Sequence, residues 1–296
     1  MNKFMKVLAA SALVATALVG CGKSAKYAKV GFGMVVTPGD QTSTTMATIG
    51  LDGDDKVAYI DIDAIQSPNK KDETKTKKEL GADYAMKEQS PIKQEWDAQA
   101  KAFEEWAKGK TLDEIAKVET MDFHGGKAAK TGTDLAAGCT IVLDDFLAAV
   151  AKAGTNAVEV EAEKIGAGET ASWNAEDKQK NTTAVSIALD ADGKIVWTSY
   201  DVSQNPNGKD ETKTKKELGT AYDMKKASAI GKEWNEQAKA FEEWTKGKTP
   251  DDVAKVETMD FHGGKAAKTG TDLAAGCTIV IDDVLSALAE AAANAQ

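Results

Sequence analysis

The chain has 296 residues, a formal net charge of −10 and no arginine, so all 37 of its basic side chains are lysine. An acidic balance without guanidinium forks argues against nucleic acid as a partner, and equally against electrostatic adhesion to an anionic membrane surface. The length suits two domains of ordinary size, each able to bury its own core.

Lys3 and Lys6 precede an apolar run from Val7 to Val19, which ends in Leu18-Val19-Gly20-Cys21. This pattern predicts a bacterial lipoprotein signal peptide over residues 1–20, with Cys21 diacylated as the mature N-terminus. The run is too short for a retained membrane span. The protein is therefore expected on the extracytoplasmic face of the cell membrane, lipid-anchored, with 21–28 as a tether. At roughly 3.3–3.6 Å per residue that tether reaches about 25–30 Å.

Lys29-Val-Gly-Phe-Gly33 opens one repeat and Lys164-Ile-Gly-Ala-Gly168 opens another. The domains are set at 29–154 and 155–296, with Thr155 to Glu163 as a short join. Met34 to Val36, Thr44 to Leu51 and Lys56 to Ile62 read as a strand and a hairpin around Asp52-Gly-Asp-Asp55. Thr182 to Leu189 and Lys194 to Val202 repeat the hairpin around Asp190-Ala-Asp-Gly193. The mixed-charge run Lys71 to Glu79, copied at Lys209 to Glu217, reads as a solvated loop and helix face, with contact to a phosphate as the alternative.

Ser90-Pro91-Ile92 predicts a helix start, with Ile92, Trp96, Ala100, Phe103 and Ala107 on the core face and Gly109 at the end. Ile230, Trp234, Ala238, Phe241 and Thr245 repeat the stripe, while Trp106 and Trp244 lie off it. Thr111 and Glu114 form a capping-box pattern, which Thr249 and Asp252 make again. The apolar-periodic run after Thr140, with Asp144 and Asp145 in its first turn and Gly154 at its end, predicts a helix with Thr140 near its N-cap. A last helix is expected over Val284 to Ala293, followed by a frayed tail.

The chain is organised around a segment that occurs twice. From Ala116 to Val142 it is identical, without a break, to Ala254 to Val280. Duplicated domains ordinarily drift apart in their loops, so a perfect copy rich in Gly, Thr and Lys suggests a site. Within it lie Asp134-Leu-Ala-Ala-Gly-Cys-Thr140 and Asp272-Leu-Ala-Ala-Gly-Cys-Thr278. Gly138 and Gly276 leave room beside each Thr for a close approach. Cys139 and Cys277 occupy equivalent positions in separate repeats, so they read as free thiols. His124 and Lys127, with His262 and Lys265, could hydrogen-bond a ligand, and Phe123 could stack on one, beside a Gly-Gly turn; a turn or core role fits each of them as well. No metal-ligand spacing, nucleophile triad or phosphate-loop pattern is present.

That heptad resembles the flavinylation motif of the FMN-binding domains, and the whole chain looks like the two-domain, FMN-bearing lipoproteins of Gram-positive extracellular electron transfer. The likeness extends to Lys78-Glu-Leu-Gly81 and Tyr84-x-Met86 and their copies at Lys216 and Tyr222, and departs at Cys139 and Cys277, where Ala is usual. It implies an α+β fold of two homologous FMN-binding domains, each an antiparallel sheet packed with helices. It implies FMN esterified to Thr140 and Thr278 by a separate flavin transferase, with Asp134, Gly138, Asp272 and Gly276 in the recognised motif. The protein would be a redox carrier more than an enzyme, taking electrons from a membrane quinol-linked donor and passing them to external acceptors such as ferric iron. The alternative is a surface lipoprotein that binds a ligand without flavin, with the excised Leu13 to Gly20 acting as a peptide pheromone.

Overall fold

The computed structural model describes residues 26–68, 71–174 and 179–296. The signal peptide, Cys21 and most of the tether lie outside the described residues. The protein is a mixed α+β fold of antiparallel sheets flanked by helices, and the same order of elements runs through it twice.

The first half begins with β1 (Tyr27–Thr37), β2 (Thr42–Leu51) and β3 (Val57–Ser67). The β2–β3 turn is closed by the Asp52 carboxylate, which accepts from the N–H groups of Asp54 (2.9 Å) and Lys56 (3.0 Å), the local bonding that suits Asp to turns. Then come α1 (Lys77–Leu80), α2 (Trp96–Ala107), α3 (Leu112–Ala116), the hairpin β4 (Thr120–Phe123) with β5 (Gly126–Ala129), and α4 (Asp144–Thr155). Strand β6 (Val158–Ala162) pairs antiparallel with β1, giving a sheet ordered β3-β2-β1-β6. The stretch expected to be a plain join is thus the fourth strand. Strand β1 also starts two residues before the expected domain start at Lys29, because buried Tyr27 pairs with Ala162.

The second half repeats the plan with β7 (Lys164–Asn174), β8 (Gln179–Leu189), β9 (Ile195–Asn205), α5 (Lys215–Leu218), α6 (Trp234–Thr245), α7 (Pro250–Ala254), β10 (Thr258–Phe261), β11 (Gly264–Ala267) and α8 (Asp282–Ala293). Its large sheet has three strands, β7-β8-β9. Both predicted capping boxes, at Thr111 and Thr249, are present.

Strand alternation sends every second residue to the opposite face. Ala47, Ile49, Ile60 and Ile62 face a core made with α2 and α4, while Val30, Phe32, Met34 and Met46 face Ile165, Ala184, Ala188 and Trp197 of the other sheet. The two sheets therefore pack against each other, with helices on both outer sides. Hydroxyl pairs cross this layer at Thr44–Ser203 (2.9 Å) and Thr48–Ser186 (2.6 Å). The repeated Gly-x-Gly also has a cause. A Cβ on Gly31 would lie 2.0 Å from the Ala153 carbonyl oxygen of α4, and one on Gly166 would lie 1.9 Å from that of Ala291 in α8.

Each half closes its outer core on an aromatic trio, built differently. In the first, Phe146 of α4 meets Trp96 (5.6 Å) and Phe103 (5.4 Å) edge-on. In the second, Tyr200 of β9 meets Trp234 and Phe241, both at 5.6 Å. Ile62 and Val284 stand where the other half has its ring.

Four further expectations need correction. Helix α2 starts at Trp96, not Ser90, because Lys93 takes a left-handed conformation (φ 55°), which its counterpart Gly231 (φ 63°) adopts freely. Thr140 is not an N-cap: Leu143 occupies that position, and α4 begins at Asp144. The mixed-charge run is not simply solvated, since Thr76 is buried as the cap of α1 and Lys78 pairs with Asp61 (2.6 Å) and Glu104 (2.8 Å). The tail is tied down as well: Gln296 exchanges backbone bonds with Ile165, and the Asn294 amide donates to the Ala167 carbonyl (3.0 Å).

Candidate functional site

The β4–β5 hairpin turns through His124 and Gly125, whose φ values of 47° and 84° match the two-residue turn that suits strand twist. Gly126 lets the start of α4 come close, for a Cβ there would meet an Asp144 carboxylate oxygen at 2.5 Å. That carboxylate accepts from the Lys127 N–H (2.7 Å), and the Leu143 N–H donates to the Lys127 carbonyl (2.7 Å). The segment after the heptad is thus laid alongside β5.

The heptad itself winds through a 3₁₀ turn at Leu135–Ala137, anchored by buried Leu135. Gly138 passes the side of α2, where a Cβ would stand 2.8 Å from that of Ala102. Contact with the helix, not a positive φ, therefore requires glycine there. The loop is thus seated against α2.

Cys139 is fully buried and is a free thiol, as expected. Burial pushes its pKa up to about 12 and that of Cys277 up to about 11, so neither is a thiolate at neutral pH.

Thr140 is half-buried, and both its N–H (2.8 Å) and its hydroxyl (3.0 Å) donate to the Gln99 side-chain oxygen. Gln99 is completely buried in α2, and its amide nitrogen donates to Ser90 Oγ (3.1 Å) and the Gln94 carbonyl (3.1 Å). Thr278 and Gln237 reproduce the clamp at the same 2.8 and 3.0 Å. A buried amide with its bonds met fixes the rotamer of whatever it holds.

Thr140 stands in the wall of a cleft of about 510 Å³, with Phe123, Met121, Ile92 and the exposed Asp134. A second cavity of about 330 Å³ lies across Phe123, lined by His124, Trp96, Tyr84 and Phe146 among others. The structure therefore gathers Thr140, Asp134, Phe123 and His124. It does not bring Lys127 in: its ammonium pairs with Asp122 (2.5 Å) across the hairpin, as Lys265 does with Asp260 (2.5 Å). Trp106 is also remote, packing on Phe103 (5.6 Å) near the far end of α2 with Lys110 over its ring.

Sequence reasoning missed Gln99 and Gln237. The signal was a glutamine amid the apolar stripe of α2 in both copies, with the same 41-residue separation from the Thr.

No known family matches the chain, and no solved structure matches it. A chlorophenol reductase of Desulfitobacterium hafniense is 36% identical over a stretch covering 26% of this chain and 29% of that protein. The chain thus spans under a third of that relative.

Proposed function

We propose that the protein is a lipid-anchored extracellular electron carrier, with one FMN esterified to Thr140 and another to Thr278 in two homologous domains. The observation that carries this reading is the paired clamp: each Thr hydroxyl is held at the lip of its loop by a buried glutamine, with the same geometry in both halves. Thr140 lies in the wall of the 510 Å³ cleft, so a ribityl phosphate carried on its hydroxyl would extend into that space.

An amide oxygen is not a base, so Gln99 orients the Thr140 hydroxyl without activating it. Activation then falls to a flavin transferase, which would read the exposed Asp134 and Asp272. The hydroxyl oxygen would attack the flavin-side phosphorus of FAD. The pyrophosphate bond breaks, AMP leaves, and the hydroxyl proton passes to the transferase or solvent. Bound flavin supplies one- and two-electron chemistry, and covalent attachment keeps it on the outer face of a membrane. The partial likeness to a protein named as a reductase accords with redox work. A membrane quinol-linked donor and external acceptors such as ferric iron complete the path, with Cys21 as the lipid anchor.

The test is the colour of protein co-expressed with a flavin transferase. A flavin spectrum that stays with the denatured chain, bleaches on reduction and returns with ferric citrate is expected. Colourless protein beside an active transferase would favour the ligand-binding lipoprotein instead.

A further inference from the structure

The lysine-rich run copied at 71–79 and 209–217 has no part in that account, yet in both halves one of its half-buried lysines lies over aromatic rings. Lys77 places its ammonium 5.2 Å from the centre of the Tyr84 ring and 5.4 Å from that of Trp96. Lys215 stands 5.3 Å from Tyr222 and 5.6 Å from Trp234. The buried cap Thr76 fixes the helix start that aims Lys77, while its neighbour Lys78 is taken by Asp61 and Glu104. Among the described residues Lys77 is the one lysine in the wall of the 330 Å³ cavity, which shares Phe123 with the cleft of Thr140. Gln66 lies in the same wall and accepts from the Tyr84 hydroxyl (3.1 Å); Gln204 and Tyr222 repeat this bond at 3.1 Å.

Aromatic walls, one ammonium and an amide, with the Asp145 carboxylate in the same wall accepting from the Thr37 hydroxyl (2.8 Å), suit a flat heteroaromatic ring with carbonyl acceptors on one edge. We propose that Lys77 and Lys215 are positioning residues that set the redox potential of the flavins held through Thr140 and Thr278, with the Lys77 ammonium facing the pyrimidine edge of the ring in this cavity. The proposal rests on the flavin reading above. When the donor's electrons reach the ring, negative charge collects at that edge, and the ammonium opposes it. It therefore favours the reduced form and raises the potential. Half-buried, Lys77 is screened less by water than a fully exposed lysine, which strengthens the effect.

The experiment uses full-length Thr278→Ala protein, flavinylated at Thr140 only, and compares Lys77→Met, Lys77→Gln and Lys77→Arg. Mass spectrometry reads the adduct, and spectroelectrochemistry reads the midpoint potential. Lys77→Met and Lys77→Gln are expected to carry the adduct at a potential shifted clearly negative, while Lys77→Arg stays near the parent. A full adduct with an unshifted potential in both neutral variants would overturn the role of Lys77 and leave the flavin reading standing. A parent chain with no adduct would overturn both. Lys215→Met in a Thr140→Ala background should mirror the result.

Discussion

Gln99 is the residue on which the site geometry turns, because one carbonyl oxygen satisfies two donors of Thr140 while its amide holds Ser90 and Gln94. Gln99→Leu keeps the side chain's bulk and removes every one of these bonds. Each buried polar group left unpaired costs about 1–3 kcal/mol, so urea denaturation should show a loss on that scale. The adduct on Thr140 should fall while that on Thr278 persists. Lys215 carries a second prediction at this scale. Burial pulls its pKa down to about 8, against the opposing pull of Asp201 on β9 and Asp283 on α8. The Tyr222 and Trp234 rings flank it. Above pH 8 it loses its charge, so the flavin on Thr278 should shift in potential more steeply between pH 7 and 9 than the same flavin in Lys215→Met. Equal slopes would argue against an ammonium at that ring.

At the scale of elements, helices α4 and α8 seat on bare backbone. Gly33→Ala would put a Cβ about where the Ala149 carbonyl oxygen stands, 2.2 Å away, and backbone cannot yield as a flexible side chain can. A loss of about 1–3 kcal/mol or more is expected, the usual range for overpacking, read as a lower melting temperature. The aromatic trios give a compensating pair: Phe146→Val opens a cavity, Ile62→Tyr crowds the core, and the two together copy the second half. The double variant should recover most of the loss of the singles, a coupling that a double-mutant cycle measures.

These elements also show what could be read beforehand. Hairpins, capping boxes and the 3.6-residue stripe of α2 are local, so Asp52, Thr111 and Phe103 announce themselves. The start of α2 was misread because Ser-Pro resembles a helix start and only Gly231, in the other copy, hints at the left-handed turn that delays it. Thr140 stood out through repetition. Gln99 and Lys77 did not, because Thr140 lies 41 residues from Gln99 and the Trp96 ring reaches Lys77 only once α2 has packed beside α1.

At the scale of the molecule, the two halves meet through a sheet-to-sheet layer of apolar side chains crossed by two hydroxyl pairs and unlike at its two sides. On one side Lys152 of α4 pairs with Glu217 (2.6 Å). On the other, Glu290 of α8 accepts from the backbone of buried Glu169 (3.0 Å). Burial raises the pKa of Glu169 well above its usual value, with Asp61, Asp63 and Glu290 adding to the rise and Lys78 opposing it. Burial also lifts Asp63, to about 7. A carboxyl raised in the folded state stabilises the fold fully below its unfolded pKa of about 4, and that stability is lost as pH rises toward the folded value. Glu169→Gln should therefore raise the melting temperature at pH 8, with the gain shrinking toward pH 4. An equal gain at both pH values would contradict the buried-charge account.

The account's central claim is that two threonine hydroxyls carry flavin. Its most direct test is the intact mass of the mature protein after co-expression with a flavin transferase, beside Thr140→Ala, Thr278→Ala and the double variant. Two FMN adducts on the parent, one on each single variant and none on the double are predicted. A parent without adducts, or adducts that survive in the double variant, would contradict it.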